Sequence, residues 1–310
     1  NLQNLIALKK GVGENRPSIM LAAHMDEIGL MVTKIEEKGF LRITGVGGVD
    51  ERTILAQEVT VHGKEQLHGI IGAKPPHLQG PSERKNAIKM KDLYVDLGLP
   101  EEKVKEMVRV GDLITINRDY ISLHNDRASA KAMDDRAGVA LILELFKELE
   151  LLKHEIDVYG VATVQEEVGT RGAITSTYGI MPDIGIAIDV GHGHMPGILS
   201  KEDTLELADG SAIALGPHVH PKVHKKLKEI ADELNIPYQI DPATVPYGTD
   251  AYSIQVTKSG VPTALISIPL RYMHTSVETL DLSDIKTAAR LLANFIARID
   301  SEFVEGLTCF

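Results

Sequence analysis

The run Ile156 to Val164 is rich in β-branched residues and reads as a buried strand. It stops at two adjacent carboxylates, Glu166 and Glu167, and Gly169 and Gly172 then turn the chain into its next element. Inside a strand, neighbouring side chains point to opposite faces, but where the chain bends past the strand's end both can reach one cleft. A carboxylate pair placed there can divide its work, one group holding a cation while the other moves protons. A solvated acidic loop has the same local signature. The choice between the two rests on whether other strands end in the same way.

They do. Ser18 to Ala23 is a second buried strand, and it ends at His24-Met25-Asp26. Residues two apart on extended backbone point the same way, and a carboxylate behind a histidine commonly fixes its tautomer for metal binding. Val139, Ile142, Leu145, Phe146, Leu149 and Leu152 recur three or four apart, a helical apolar face. Asp134 and Asp135 therefore stand at a helix N-terminus, where capping accounts for one of them but not both. Ile184 to Ile188 is a strand ending at Asp189, and Pro262 to Ile268 is a strand followed by Arg271-Tyr272-Met273-His274.

His24, Asp134, Glu166, Glu167, Asp189 and His274 thus all end buried strands or open a helix. Open α/β sheets bind ligands at that end. Two histidines with three carboxylates, one of them shared, make a two-ion set of N and O donors. Such a set suits Zn²⁺, or Co²⁺ and Mn²⁺ where carboxylate dominates. Two ions in one site lower the pKa of a bridging water and clamp a tetrahedral intermediate. Glu166, beside the ligand Glu167, is then left as general base. His62, His68, His77 and His124 fit no ligand pattern and read as structural or solvated. His192 and His194 could suggest a metal, but in their glycine-rich, mobile setting they read as substrate-rim or solvated residues, and His218 and His220 read as non-ligands.

The texture changes between Leu30 and Leu123. Short alternating strands lie between glycines at Phe40 to Thr44, Glu58 to His62, His68 to Gly72, Leu93 to Leu97 and Leu113 to Asn117. A single short helix is expected, after Leu99-Pro100. The pattern predicts a small antiparallel β-barrel or sandwich, with Lys74 to Lys91 as an exposed, basic excursion. Residues 1–29 and 124–310 then form an α/β catalytic domain, and 30–123 an inserted barrel domain. A closing helix, Leu282 to Ile299, carries a cap signal at Ser283 and Asp284.

Composition narrows the partners. A net charge of −11 argues against nucleic acid and anionic membrane. No run of 18 apolar residues and no signal peptide are found, so no membrane crossing is expected. Cys309 is the single cysteine, which excludes an internal disulfide and a cysteine-rich zinc site and points to the reducing cytoplasm. Aromatics are 4% of residues and Trp is absent, which disfavours a sugar-stacking cleft.

Ala23-His24-Met25-Asp26-Glu27-Ile28-Gly29, Ala132-Met133-Asp134-Asp135-Arg136, Glu166-Glu167-Val168-Gly169, Asp189-Val190, Gly248-Thr249-Asp250-Ala251 and Tyr272-Met273-His274 resemble the dinuclear clan MH aminopeptidases. Within them the chain is similar to the tetrahedral (TET), deblocking or glutamyl aminopeptidase family, some of whose members carry an endoglucanase label. The resemblance covers essentially the whole chain. It implies a mixed-sheet α/β/α metallopeptidase domain interrupted by a β-barrel used in oligomerisation, and a cytoplasmic dodecamer that trims short peptides from the N-terminus. It implies one ion on His24 and Asp189, another on Glu167 and His274, and Asp134 bridging them. Asp26 would orient His24, and Glu166 would act as base and then as acid to the leaving amine. A cis peptide at Asp134–Asp135 is implied too, turning Asp135 away from the ions, with Arg136 as its local partner. Family members usually carry a further N-terminal stretch before the strand that starts near Asn4. The rivals are a deacylase on the same two-metal scaffold, a glycoside hydrolase, which needs two metal-free carboxylates, and a non-enzymatic chaperone particle.

Overall fold

The computed structural model describes residues 2–81, 85–198, 204–242 and 248–307. Tyr247, in the stretch Tyr247 to Ala251 expected to turn into a short helix, and Cys309 lie outside the described residues. The chain begins with β1 (Leu5–Lys9) and β2 (Ser18–His24). It then leaves the main sheet to close a barrel from β3 (Gly29–Ile35), β4 (Leu41–Val46), β5 (Glu58–His62), β6 (Gln66–Ala73), β7 (Leu93–Asp96) and β8 (Leu113–Ile116). Every pairing in the barrel is antiparallel, in the order β3-β4-β7-β6-β5-β8. Alternate residues turn inward, as a pleated strand requires. Leu30 and Val32, Leu41 and Ile43, Val59 and Val61, Leu93 and Val95 form a hydrophobic core of the barrel's own. The sequence reading lacked β3, which follows the His24 segment without a break. It also expected one helix here. Among the described residues there are two α-helices, α1 (Glu51–Ile54), one turn capped by the Asp50 carboxylate, and α2 (Glu101–Met107).

Beyond the barrel come β9 (Ile121–Ser122), β10 (Arg127–Ala130), α3 (Met133–Glu148), β11 (Asp157–Thr163), α4 (Arg171–Ile180) and β12 (Ile184–His192). They are followed by β13 (Ala212–Leu215), α5 (Pro221–Leu234), β14 (Gln239–Pro242), α6 (Asp250–Gln255), β15 (Thr263–Leu270), β16 (Glu278–Asp281), α7 (Leu282–Arg298) and α8 (Ser301–Glu305). The main sheet has the order β1-β11-β2-β12-β15-β13-β14. Its four central strands, β11, β2, β12 and β15, are parallel and almost wholly buried, which is why they read as continuous apolar runs. β1 runs antiparallel at one edge, and β13 runs antiparallel to β15 near the other. A Cβ on Gly160 would strike Ile142 and Phe146 of α3, while one on Gly185 would strike Ile254 of α6. The strand register puts these two glycines on opposite faces, so the sheet is covered on both sides. A small sheet, β16-β10-β9, flanks the main one. α7 is capped by Asp281, whose carboxylate accepts from the Ser283 amide at 3.0 Å. The expected cap residue Asp284 instead accepts from the Ala208 and Gly210 amides.

The register aligns the strand ends that matter. Thr163 of β11 stands opposite His24 of β2. β12 leaves β2 after Ala187 but continues alongside β15 to His192. Asp189 therefore lies within a strand rather than past its end, yet beyond the last residue paired to β2.

Candidate metal centre

Asp134 sits between two imidazoles. Its Oδ1 is 3.0 Å from His24 Nε2 and its Oδ2 is 3.2 Å from His274 Nε2. Glu167 Oε2 lies 3.6 Å from His274 Nε2. On the other side, Glu166 Oε2 and Asp189 Oδ1 lie 3.9 and 4.0 Å from His24 Nε2. These six side chains line one cavity of about 500 Å³, together with Gly48, His192, Leu205, Ile240 and Met273. The Asp134–Asp135 peptide is cis, as the resemblance implies.

The ring nitrogens facing away from Asp134 are held by carbonyls. His24 Nδ1 donates to the Asp26 carbonyl and His274 Nδ1 to the Gly48 carbonyl, each at 3.2 Å. That fixes both tautomers and leaves each Nε2 turned to the carboxylates. The Asp26 carboxylate is 3.7 Å from His24 Nδ1. Its hydrogen bonds go to the Glu pair, accepting from the Glu166 amide at 3.1 Å and the Glu167 amide at 3.2 Å. Asp135 departs from expectation. It is fully buried and accepts from the His24 and Gly138 amides at 3.2 and 3.0 Å. It does not pair with Arg136, which reaches Glu27 and the Met25 carbonyl instead. Nor does it turn away from the cluster, because with His24 and Asp189 it forms a group whose donor atoms lie within 4.8 Å of one another.

Three contributors had no sequence reading. Glu278 of β16 is buried behind Asp134 and His274. Gly47 and Gly48 come from the barrel, in the turn after β4. A Cβ on Gly48 would lie 2.6 Å from His274 Nδ1, and Gly47, at φ +77, packs beside Glu167. The close spacing of Gly45, Gly47 and Gly48 is the one sequence signal that points to a close approach there. Two of the histidines read as non-ligands are bonded away from the cluster. His220 bonds the Leu307 carbonyl, His62 bonds Thr115, and neither lines the cavity. His192 does line it, but from within β12 rather than from a mobile loop.

No Lys or Arg is among the described residues lining the cavity. Burial, then the charge of Asp189, pushes Glu166 up to about 9. Burial, then Asp134, pushes Glu167 up to about 7. Burial raises Asp189 to about 8, and Asp134 adds to the rise. Burial raises Asp134 also, but hydrogen bonds from His24 and His274 outweigh it and hold that carboxyl at about 2. The same hydrogen bond, to Asp134, lifts His274 to about 9. Among the described residues lining the cavity, the groups that face this crowd of acids with a raised proton affinity are the His24 and His274 imidazoles. Glu166 Oε1 is buried with no hydrogen-bond partner. Two imidazole nitrogens and several carboxylate oxygens, converging without a basic residue, are a donor set that fits divalent cations.

The M42 glutamyl aminopeptidase model matches residues 3–291. The chain belongs to the M42 aminopeptidase family. It is a metal-dependent aminopeptidase, a hydrolase of peptide bonds. This M42 chain is 37% identical over 294 residues to the lysyl aminopeptidase of Pyrococcus furiosus, a match that covers 94% of this chain and 83% of that one. Among solved structures it is similar to an aminopeptidase of the archaeon Desulfurococcus kamchatkensis, at 41% identity and a TM-score of 0.90, covering 99% of this chain and 86% of that one. It is also similar to the TET1 peptidase of Pyrococcus horikoshii, at 32% identity and a TM-score of 0.81, covering 96% and 87%. That peptidase can assemble into a tetrahedron or a large octahedral shell. Among the described residues no helix is long and apolar enough to cross a membrane.

Proposed function

We propose that this M42 aminopeptidase binds two divalent ions, Zn²⁺ foremost and Co²⁺ or Mn²⁺ as alternatives, and removes N-terminal residues from short peptides in the cytoplasm. The observation that carries the reading is the Asp134 carboxylate, which gives one oxygen to each histidine. His24 and Asp189 would hold one ion, Glu167 and His274 the other, and Asp134 both. When bound, the ions supply Lewis acidity toward the scissile carbonyl and lower the pKa of water.

Glu166 is the carboxylate in the cavity that belongs to neither ligand pair. It accepts the proton of the attacking water and passes it to the leaving amine. Asp26 places Glu166 and Glu167 by their backbone amides, and its carbonyl orients His24. Residues 30–123 act as an inserted domain that makes subunit contacts in a dodecamer. The shell formed by the Pyrococcus horikoshii relative supports a large homo-oligomer.

Metal analysis of wild type and Asp134→Ala tests the centre. Wild type should carry two ions per chain and cleave aminoacyl anilides. Asp134→Ala should lose at least one ion and its activity. Two ions retained by Asp134→Ala would remove the bridging role.

A further inference from the structure

Every ligand-bearing backbone in the centre has to be held, and the means of holding is repeated. Asp26 accepts from the Glu166 and Glu167 amides, and Asp135 from the His24 amide. The third case is Glu278. Its Oε2 accepts from the Asp134 amide at 3.1 Å and its Oε1 from the His274 amide at 2.8 Å. Glu278 is 2% exposed, and neither of its oxygens reaches a cation among the described residues.

These two amides are ones that regular structure does not hold. Asp134 lies in the first turn of α3 with non-helical angles, φ −78 and ψ 104. The first amides of a helix have no partner within it. His274 is past the end of β15 and in the left-handed region, at φ 59. Without Glu278 the Asp134 amide would lose its partner in a buried setting and the His274 amide in a half-buried one, and one carboxylate satisfies both. Glu278 can do this because β16 pairs with β10, with Glu278 opposite Ala130. That register brings it beneath the segment entering α3 and only four residues after His274. We infer that Glu278 is a positioning residue of the metal centre, a carboxylate clamp that sets the distance between the bridging ligand Asp134 and the ligand His274. The inference rests on the two-ion reading above.

Glu278→Gln is the direct test. An amide offers one acceptor oxygen, so its NH₂ group must face one of the two backbone amides, donor against donor. Partners of this kind behind metal ligands typically contribute roughly 10–100-fold to metal affinity. Chelator-competition titrations with Zn²⁺ should show a loss of that size in Glu278→Gln, and the visible spectrum of the Co²⁺-loaded protein should shift. Thermal melts of the metal-free proteins separate this from a general loss of fold. Glu278→Asp, which keeps the charge and both acceptors but withdraws them by one methylene, should lose affinity as well.

The inference is overturned if both variants bind Zn²⁺ as tightly as wild type with an unchanged Co²⁺ spectrum. It is equally overturned if they only melt earlier while metal affinity stays the same. In both cases the two-ion reading survives. A wild-type protein that binds no metal brings down both.

Discussion

Stripping the ions should make this protein's stability depend on pH in a direction opposite to ordinary acid denaturation. Glu166, Asp189, Glu167 and Glu278 are pushed up to about 9, 8, 7 and 7. Their ordinary values are 4.5 for Glu and 3.8 for Asp. A carboxyl raised in this way keeps, in the folded state, a proton that the unfolded chain has already shed. Its stabilising effect is complete below its ordinary value and is lost as pH rises toward its folded value. His274, raised to about 9, acts with the same sign. The buried His218 and the half-buried His220, which desolvation pushes down, oppose it near pH 6.5, but they are two groups against five.

One net proton of difference corresponds to about 1.4 kcal/mol per pH unit. Counting only one, the metal-free protein should lose about 3 kcal/mol between pH 6 and pH 8. At about 2.1 cal/mol/K per residue of unfolding entropy, a 310-residue chain should melt about 5 °C lower at pH 8 than at pH 6. Metal binding needs deprotonated ligands, so stabilisation by added Zn²⁺ should grow over the same range. Scanning fluorimetry in EDTA and in Zn²⁺ at pH 6, 7 and 8 measures both trends, and Glu166→Gln in EDTA should flatten the slope. An EDTA curve that is level or rises with pH would show that the acids do not crowd one another as described.

Three further outcomes follow from the same geometry. Glu166→Gln keeps the side chain's shape and removes its basicity, so kcat should fall by at least about 10² while both ions remain bound; metal lost from this variant would mean that Glu166 and Glu167 exchange roles. Gly48→Ala places a methyl group 2.6 Å from the His274 ring nitrogen and should lower Zn²⁺ affinity with little effect on the barrel's own core; unchanged affinity would show that the His274 ring adapts. Replacing residues 30–123 with a short linker should leave particles smaller than the wild-type assembly in sedimentation, and a full-sized particle would take the subunit contacts away from the barrel.

What the sequence made legible follows from how locally each feature is encoded. His24, Glu166, Glu167 and His274 could be found because each interrupts or follows an apolar run that has to be buried, and a polar group there demands a reason. Five barrel strands could be read because their two-residue alternation is complete within a few residues. β3 could not, since it begins at Gly29 itself, only five positions after His24, and its apolar residues merge with those of the His24 segment. Asp189 was found but misplaced. The residue where β12 stops depends on β15, its distant partner, rather than on its own composition.

The supporting groups are a different kind of information. Glu278 reaches an amide 144 positions away, and the Gly48 carbonyl meets a ring 226 positions away. Neither contact leaves a periodicity or a spacing behind. Asp135 was misread for a related reason. A charged neighbour in sequence, Arg136, looked like its partner, but the first turn of α3 sends the two side chains to different places. Asp135 goes inward to the His24 amide and Arg136 outward to Glu27. Candidate ligands on strand ends are thus legible in the sequence, whereas the carboxylates and carbonyls that hold them become visible only once strand register is known. In this M42 chain the register of β10 with β16 is what brings an unremarked glutamate up to the candidate metal centre.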